Sequence, residues 1–285
     1  MIFVLMVRRP LRVLLLLAAA TAIVPHAARA QGKLEARYEA SIAGIPIGKG
    51  TWTIDITDTR YAAAATGTTT GLIRAFTGGQ GTSSAHGTLH AGAPVNSIFA
   101  STIATGHKTD EVHLTVANGV VKESRVDPPL ETEPERIPIT DEHRKGILDP
   151  MTASLLRTPG SGEPLAPEAC QRTVAIFDGR LRYDLRLAFK RMDHVKTDKG
   201  YAGPVVVCTV YFTPIAGFVP SRAAVRYLVK QHDIEAWLAP IAGTRVLVPY
   251  RVQGPTPIGR MVLEATEFVS APIAARAAVS GSKTQ

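Results

Sequence analysis

The chain has 285 residues, 45% of them apolar, with 32 Lys and Arg against 24 Asp and Glu. This is globular composition and excludes wholesale disorder, while only 2 cysteines exclude a disulfide-scaffolded miniprotein or an iron–sulfur protein. A single strongly apolar run excludes a multi-span helical membrane protein.

That run lies at the start. Arg8, Arg9 and Arg12 precede the uncharged stretch Val13 to Val24, and Ala28-Arg29-Ala30 forms a small-x-small cleavage site before Gln31. The pattern is that of a secretory signal peptide over residues 1–30. As a helix the apolar stretch rises about 18 Å, against roughly 30 Å for a bilayer core. A membrane anchor is the weaker reading, and no transmembrane span is expected in the mature chain. Initiation at Met6 gives a more usual leader than Met1. The twin Arg8-Arg9 hints at the export route for folded proteins, although Arg12 interrupts the apolar stretch. Cleavage removes four arginines and no acid, so the formal charge falls from +8 to +4. That excess is too mild for nucleic-acid binding. The expected destination is the periplasm.

Export makes the cysteines legible. Cys170 and Cys208 are the only pair, and in an oxidising compartment they read as a disulfide. A redox pair or a metal site is the alternative, without C-x-x-C spacing or a nearby His pair to support it.

In the mature chain, Leu34, Ala36, Tyr38, Ala40 and Ile42 alternate with charged or polar residues, as in a half-buried strand. Gly44-Ile45-Pro46-Ile47-Gly48 is a turn, and Trp52, Ile54 and Ile56 give the returning strand of a hairpin. Gly44 to Lys49 is one residue short of a phosphate loop and is discounted. A strand follows over 60–70, and a short helix is expected over Gly71 to Phe76. Segments 79–90, 93–103, 108–117 and 119–126 read as a meander, with Asn118-Gly119 a strong hairpin signal. Residues 127–138 carry four prolines and four acids and form a connector that no central strand or helix can use. Asp149-Pro150 caps and starts a helix ended by Pro159, Gly160 and Gly162. The second half returns to strands: Leu181 to Lys190, Val205 to Phe212, Ile234 to Leu238, Thr244 to Val252 and Met261 to Phe268. Residues 221–231 form a helix or an irregular crossing. The fold expected is mainly β, one large curled antiparallel sheet resembling an open barrel, with two or three short helices. It forms a single domain over 31–270, its halves 31–127 and 139–270, followed by a flexible tail, 271–285.

Catalytic patterns are missing from this reading. No G-x-S-x-G, H-E-x-x-H or C-x-x-C occurs, and Ser280 to Lys283 is the one S-x-x-K, placed in the tail. His86 and His90 stand about 13 Å apart on one strand face, too far to share a metal. His107, His113, His143 and His232 are isolated, and Asp193-His194 lies in a Lys-rich turn. No catalytic residue, cofactor or metal site is assigned. Two groups have a functional reading beside an ordinary one. Arg180, Arg182, Arg186, Lys190 and Arg191 form a basic strand face, for lipid headgroups or an anionic partner, or simply a solvated face. Trp52, Phe212, Phe218 and Trp237 line a ligand groove inside the curl, or pack as core.

Four stretches carry a resemblance: Gly44 to Gly48, Asp149-Pro150-Met151-Thr152-Ala153, Phe177-Asp178-Gly179-Arg180, and Trp237 to Pro240 through Val248-Pro249-Tyr250-Arg251. In that order the chain resembles the domain-of-unknown-function family 3108, exported proteins of Gram-negative bacteria. The resemblance implies a β-rich periplasmic or envelope protein. It also implies a curved sheet closed by helices, similar to the periplasmic lipoprotein carriers. The family brings no catalytic residues with it. The function expected is therefore non-enzymatic, binding of an apolar or lipid-like ligand or of an envelope protein. The alternatives are a cell-envelope assembly factor acting through its surface, and a periplasmic hydrolase without a recognisable motif.

Overall fold

The computed structural model describes residues 31–71, 78–106, 108–160 and 162–273. The expected signal peptide with Ala28 and Ala30, the helix beyond Gly71, His107 and the tail from 274 lie outside these residues.

Seven strands follow one another as hairpins: β1 (Gly32–Ile42), β2 (Ile45–Ile56), β3 (Arg60–Thr69), β4 (Gln80–His90), β5 (Ala93–Ala104), β6 (Thr109–Ala117) and β7 (Val120–Asp127). β1 shows why. Leu34, Ala36 and Tyr38 are buried while Lys33, Glu35, Arg37 and Glu39 between them are exposed, so one face is core and the other solvent. The second half supplies β8 (Leu156–Arg157), β9 (Arg172–Phe177), β10 (Arg182–Lys196), β11 (Lys199–Gly200), β12 (Ala202–Ala216), β13 (Glu235–Pro240), β14 (Val246–Thr256) and β15 (Gly259–Pro272). The helices are short, α1 (Pro150–Ala153) and α2 (Ala223–Val229).

All strands belong to one sheet in the order β7-β6-β5-β4-β3-β2-β1-β15-β14-β13-β12-β10-β9. β11 pairs beside β15, and β8 beside β14. The first and last long strands, β1 and β15, are antiparallel neighbours and weld the two halves together. The expected mainly antiparallel, curled, unclosed sheet is thus present. Three strands, β8, β9 and β11, add to those read from alternation, and β15 continues through Pro272, past the expected domain end at 270. α1 is only four residues long.

The free edges, β7 and β9, do not pair directly. A short segment stitches them instead. Lys145 bridges Val120, the Ile147 N–H donates to the Gly119 carbonyl at 3.0 Å, and the Leu148 N–H donates to the Ala175 carbonyl at 2.9 Å. Satisfying edge groups in this way protects them from foreign strands.

The inner face holds the main core, drawn from both halves, including Leu34, Ile54, Phe99, Leu114, Phe177, Val205, Trp237, Tyr250 and Phe268. A second, smaller core covers the outer face of the C-terminal half around Leu187, Val206, Val210, Leu238 and Leu247. β12 is therefore buried on both faces. The Cys170–Cys208 disulfide sits in this outer core and fastens the turn before β9 to β12.

Candidate functional site

The register of the N-terminal strands explains a hollow in the sheet. One inward row across β1 to β6 is Leu34, Ile54, Ala63, Ala85, Phe99 and Leu114, all buried core. The next row toward the β1–β2 turn is Ala36, Trp52, Ala65, Ser83, Ser101 and Val112. The row after that is Tyr38, Gly50, Gly67, Gly81, Ile103 and Asp110. Side-chain volume shrinks from row to row, and three glycines stand in register on β2, β3 and β4. The interior cannot close there, and a cavity of about 1110 Å³ opens. A Cβ at Gly67 would find no atom within 4 Å.

The remaining walls come from distant parts of the chain. Met151 and Ser154 of the α1 turn, Leu181 and Tyr183 after β9, Pro249 and Val252 of β14, and Leu263 of β15 line it. The proline-rich connector contributes Pro128, Pro129 and Leu130 to the wall. It is held by the Ile137 N–H on the Phe218 carbonyl, 2.9 Å, and the Gly217 N–H on the Ile137 carbonyl, 2.8 Å. α1 is placed by its cap: Asp149 accepts the Thr152 N–H at 2.9 Å, with Pro150 in the first turn.

Charges gather at the rim, in pairs. Glu133 of the connector accepts from both Arg136 and Arg222. Arg180 meets Asp110 at 3.2 Å, and Lys108 meets the same carboxylate at 3.0 Å. Burial pushes the Asp178 carboxyl up, against the backbone N–H groups of Arg180 and Leu181 that it accepts. Deeper in, polar groups are neutral. Ser83 donates to Ser101 at 2.8 Å, and Tyr38 donates to the Pro249 carbonyl at 2.6 Å, its phenol pushed up by burial. The Trp52 indole N–H is buried and has no hydrogen-bond partner among the described residues. The cavity thus has an apolar body, few neutral polar groups and a charged rim, the usual make-up of a site for an organic ligand.

Of the four aromatic candidates, Trp52 lines the cavity. Trp237 lies in the inner core, its indole donating to Asp193 at 3.0 Å, with the Arg251 guanidinium 4.8 Å from its ring. Phe212 packs on Tyr183 and Phe218, each at 5.6 Å between centroids, and so stands behind a lining residue. The basic candidates are engaged within the chain. Arg180 binds Asp110, Arg182 binds Asp184 at 2.5 Å, Lys190 and Arg191 bind Glu235 at 2.6 and 3.2 Å, and Arg186 stacks 3.8 Å over Tyr211. Gln31, the expected mature N-terminus, accepts from the Ile273 N–H at 3.0 Å. The glycine row and the connector's role as a wall were not read from the sequence. Among the described residues, no three His, Cys, Asp or Glu side chains gather as metal ligands do, and no helix is long and apolar enough to cross a membrane.

Comparison with known proteins adds a family and a fold likeness. The family described as "Protein of unknown function (DUF3108)" matches residues 37–266. No curated protein matches. Among solved structures, a β-barrel-like protein of domain of unknown function DUF1849 from Brucella abortus is similar at 8% identity and a TM-score of 0.46. The likeness covers 86% of this chain and 98% of that one.

Proposed function

This chain belongs to the DUF3108 family, and we propose that it is an exported periplasmic carrier that holds an apolar, lipid-like ligand inside its curled sheet. The observation that carries the reading is the hollow lined by Gly50 and Gly67 of the glycine row. Its volume of about 1110 Å³ lies just above the usual range of ligand sites, roughly 300–1,000 Å³. A core that only needed packing would fill such a space, because interiors pack densely and voids cost stability. The leader pattern at residues 1–30 supports export, as does a disulfide, which persists in oxidising compartments.

Native mass spectrometry of the protein recovered from the periplasm tests this. The expected result is an added mass that denaturation releases, lost in Gly67→Trp, whose side chain occupies the hollow, with the melting temperature maintained. Wild-type protein that is bare on recovery and takes up no fatty acid or phospholipid overturns it. An assembly factor acting through Arg180 to Arg191 is the weaker reading, because each of those cations already has a partner within the chain.

A further inference from the structure

The hollow opens toward the end of the sheet that carries the β1–β2 and β14–β15 turns. These turns touch, the Ala43 N–H donating to the Arg260 carbonyl at 2.9 Å. Ile45 and Ile258 stand at their tips, 67% and 75% exposed, the two most exposed large apolar side chains among the described residues. The register continues inward from Ile45 without a polar break, while just inside Ile258 the Thr256 hydroxyl is turned onto the Gly259 carbonyl. Ile45, Ile42 and Met261 share one row, and Gly48, Ala40, Leu263 and Val252 share the next, which lines the hollow. An apolar track therefore leads from the Ile45 tip to the site.

The two turn tips carry charge of one sign, the first acids inward being Glu39, across from Lys49, and Glu264, opposite Glu39 on β15. Within segments 42–50 and 256–262 the only charged residues are Lys49 and Arg260, and neither forms an ion pair among the described residues. At the opposite end, the β2–β3 turn is Thr57-Asp58-Thr59, with a carboxylate and no large apolar side chain. Protruding isoleucines flanked by unpaired cations suit a surface with an apolar interior and a layer of phosphates above it. A second copy docked by a two-fold axis would bring two Lys49 and two Arg260 side chains into one interface, which like-charge repulsion opposes.

We propose that this end of the sheet docks on an anionic phospholipid surface, Ile45 and Ile258 entering the acyl boundary while Lys49 and Arg260 meet phosphates. The proposal rests on the carrier reading for its purpose: the apolar track then joins membrane to cavity without exposing the ligand to water.

Flotation with vesicles tests it, comparing phosphatidylcholine alone with phosphatidylcholine doped with phosphatidylglycerol. Wild type is expected to float with the doped vesicles and less with the pure ones. A basic residue near an anionic surface is worth about fivefold in binding, so Lys49→Glu with Arg260→Glu should weaken flotation by at least roughly 25-fold. Ile45→Ser with Ile258→Ser should weaken it about tenfold, with unchanged melting, since both positions are exposed. Gly67→Trp should float as wild type does, so docking is read separately from ligand occupancy. Wild type that stays with neither vesicle, binding indifferent to phosphatidylglycerol, or serine variants that float normally would each overturn the proposal. So would a concentration-dependent dimer in sedimentation that the serine substitutions abolish, since a second copy would then cover the tips.

Discussion

The hydroxyl of Tyr61 on β3 lies 2.6 Å from that of Thr152 in α1, joining parts of the chain 91 residues apart. The Thr152 hydroxyl donates to Asp149 at 2.6 Å, which leaves Tyr61 as the donor to Thr152. All three residues are buried, and burial raises the Tyr61 phenol to about 12. This chain of bonds seats α1 against the sheet and so places Met151 in the cavity wall. Tyr61→Phe removes one donor and should cost about 1 kcal/mol in urea unfolding. Thr152→Val deprives the buried Asp149 of its hydroxyl donor and Tyr61 of its 2.6 Å partner, and should cost roughly 2–3 kcal/mol. Equal costs for the two would contradict the assigned donor direction.

The disulfide acts elsewhere. It closes a separation of 38 residues within the outer core, away from the cavity. In the chain-entropy model a loop of that length is worth about 4 kcal/mol. Cys170→Ala with Cys208→Ala should therefore lower unfolding free energy by about that amount, measured by urea titration. Ligand occupancy at temperatures where the variant remains folded should persist, because neither cysteine lines the cavity.

Acid should loosen the β10–β13 region first. Burial alone would raise the Glu235 carboxyl, but Lys190 and Arg191 more than reverse this and hold it below the ordinary glutamate value. Asp193 is also held low, chiefly by the Trp237 indole N–H. A depressed folded-state pKa means stability that is present above the unfolded pKa and is lost as pH falls through the folded one. Unfolding free energy should thus decline below the ordinary carboxylate range. Asp178, raised by burial, contributes with the opposite sign, so the diagnostic is the difference between proteins. Glu235→Gln should flatten the decline, and a pH profile parallel to wild type would refute the assignment.

Sequence reasoning reached the features that are local. Alternation located the long strands, prolines marked the connector, and Asp149-Pro150 marked a helix start that the structure gives its side-chain cap. What escaped it depends on register. Gly50, Gly67 and Gly81 lie on three strands, and only cross-strand pairing reveals them as one row. Residue type likewise cannot say which aromatic faces a hollow: Trp52 does, whereas Phe212 lies behind Tyr183. Arg180, Lys190 and Arg191 read as free because their partners, Asp110 and Glu235, belong to other strands. The stitch at Lys145 to Leu148 is too short to have a period at all.

The hairpin turns offer a matched test of backbone strain. Ala91-Gly92 and Asn118-Gly119 both place two successive residues at positive φ, 48° and 76° in the first turn, 50° and 70° in the second. Two-residue hairpin turns of this hand match the twist of the strands, and Asn tolerates the left-handed region where Ala does not. Ala91 is exposed, so a side-chain change there meets little packing. Ala91→Asn should then stabilise the protein by roughly 0.5–1 kcal/mol, and Asn118→Ala should destabilise it by a similar amount. Both are measured by the urea midpoint at unchanged slope. The two effects share one origin and opposite signs, so two shifts in the same direction would show that contacts of the Asn side chain, rather than the backbone, set the preference at these turns.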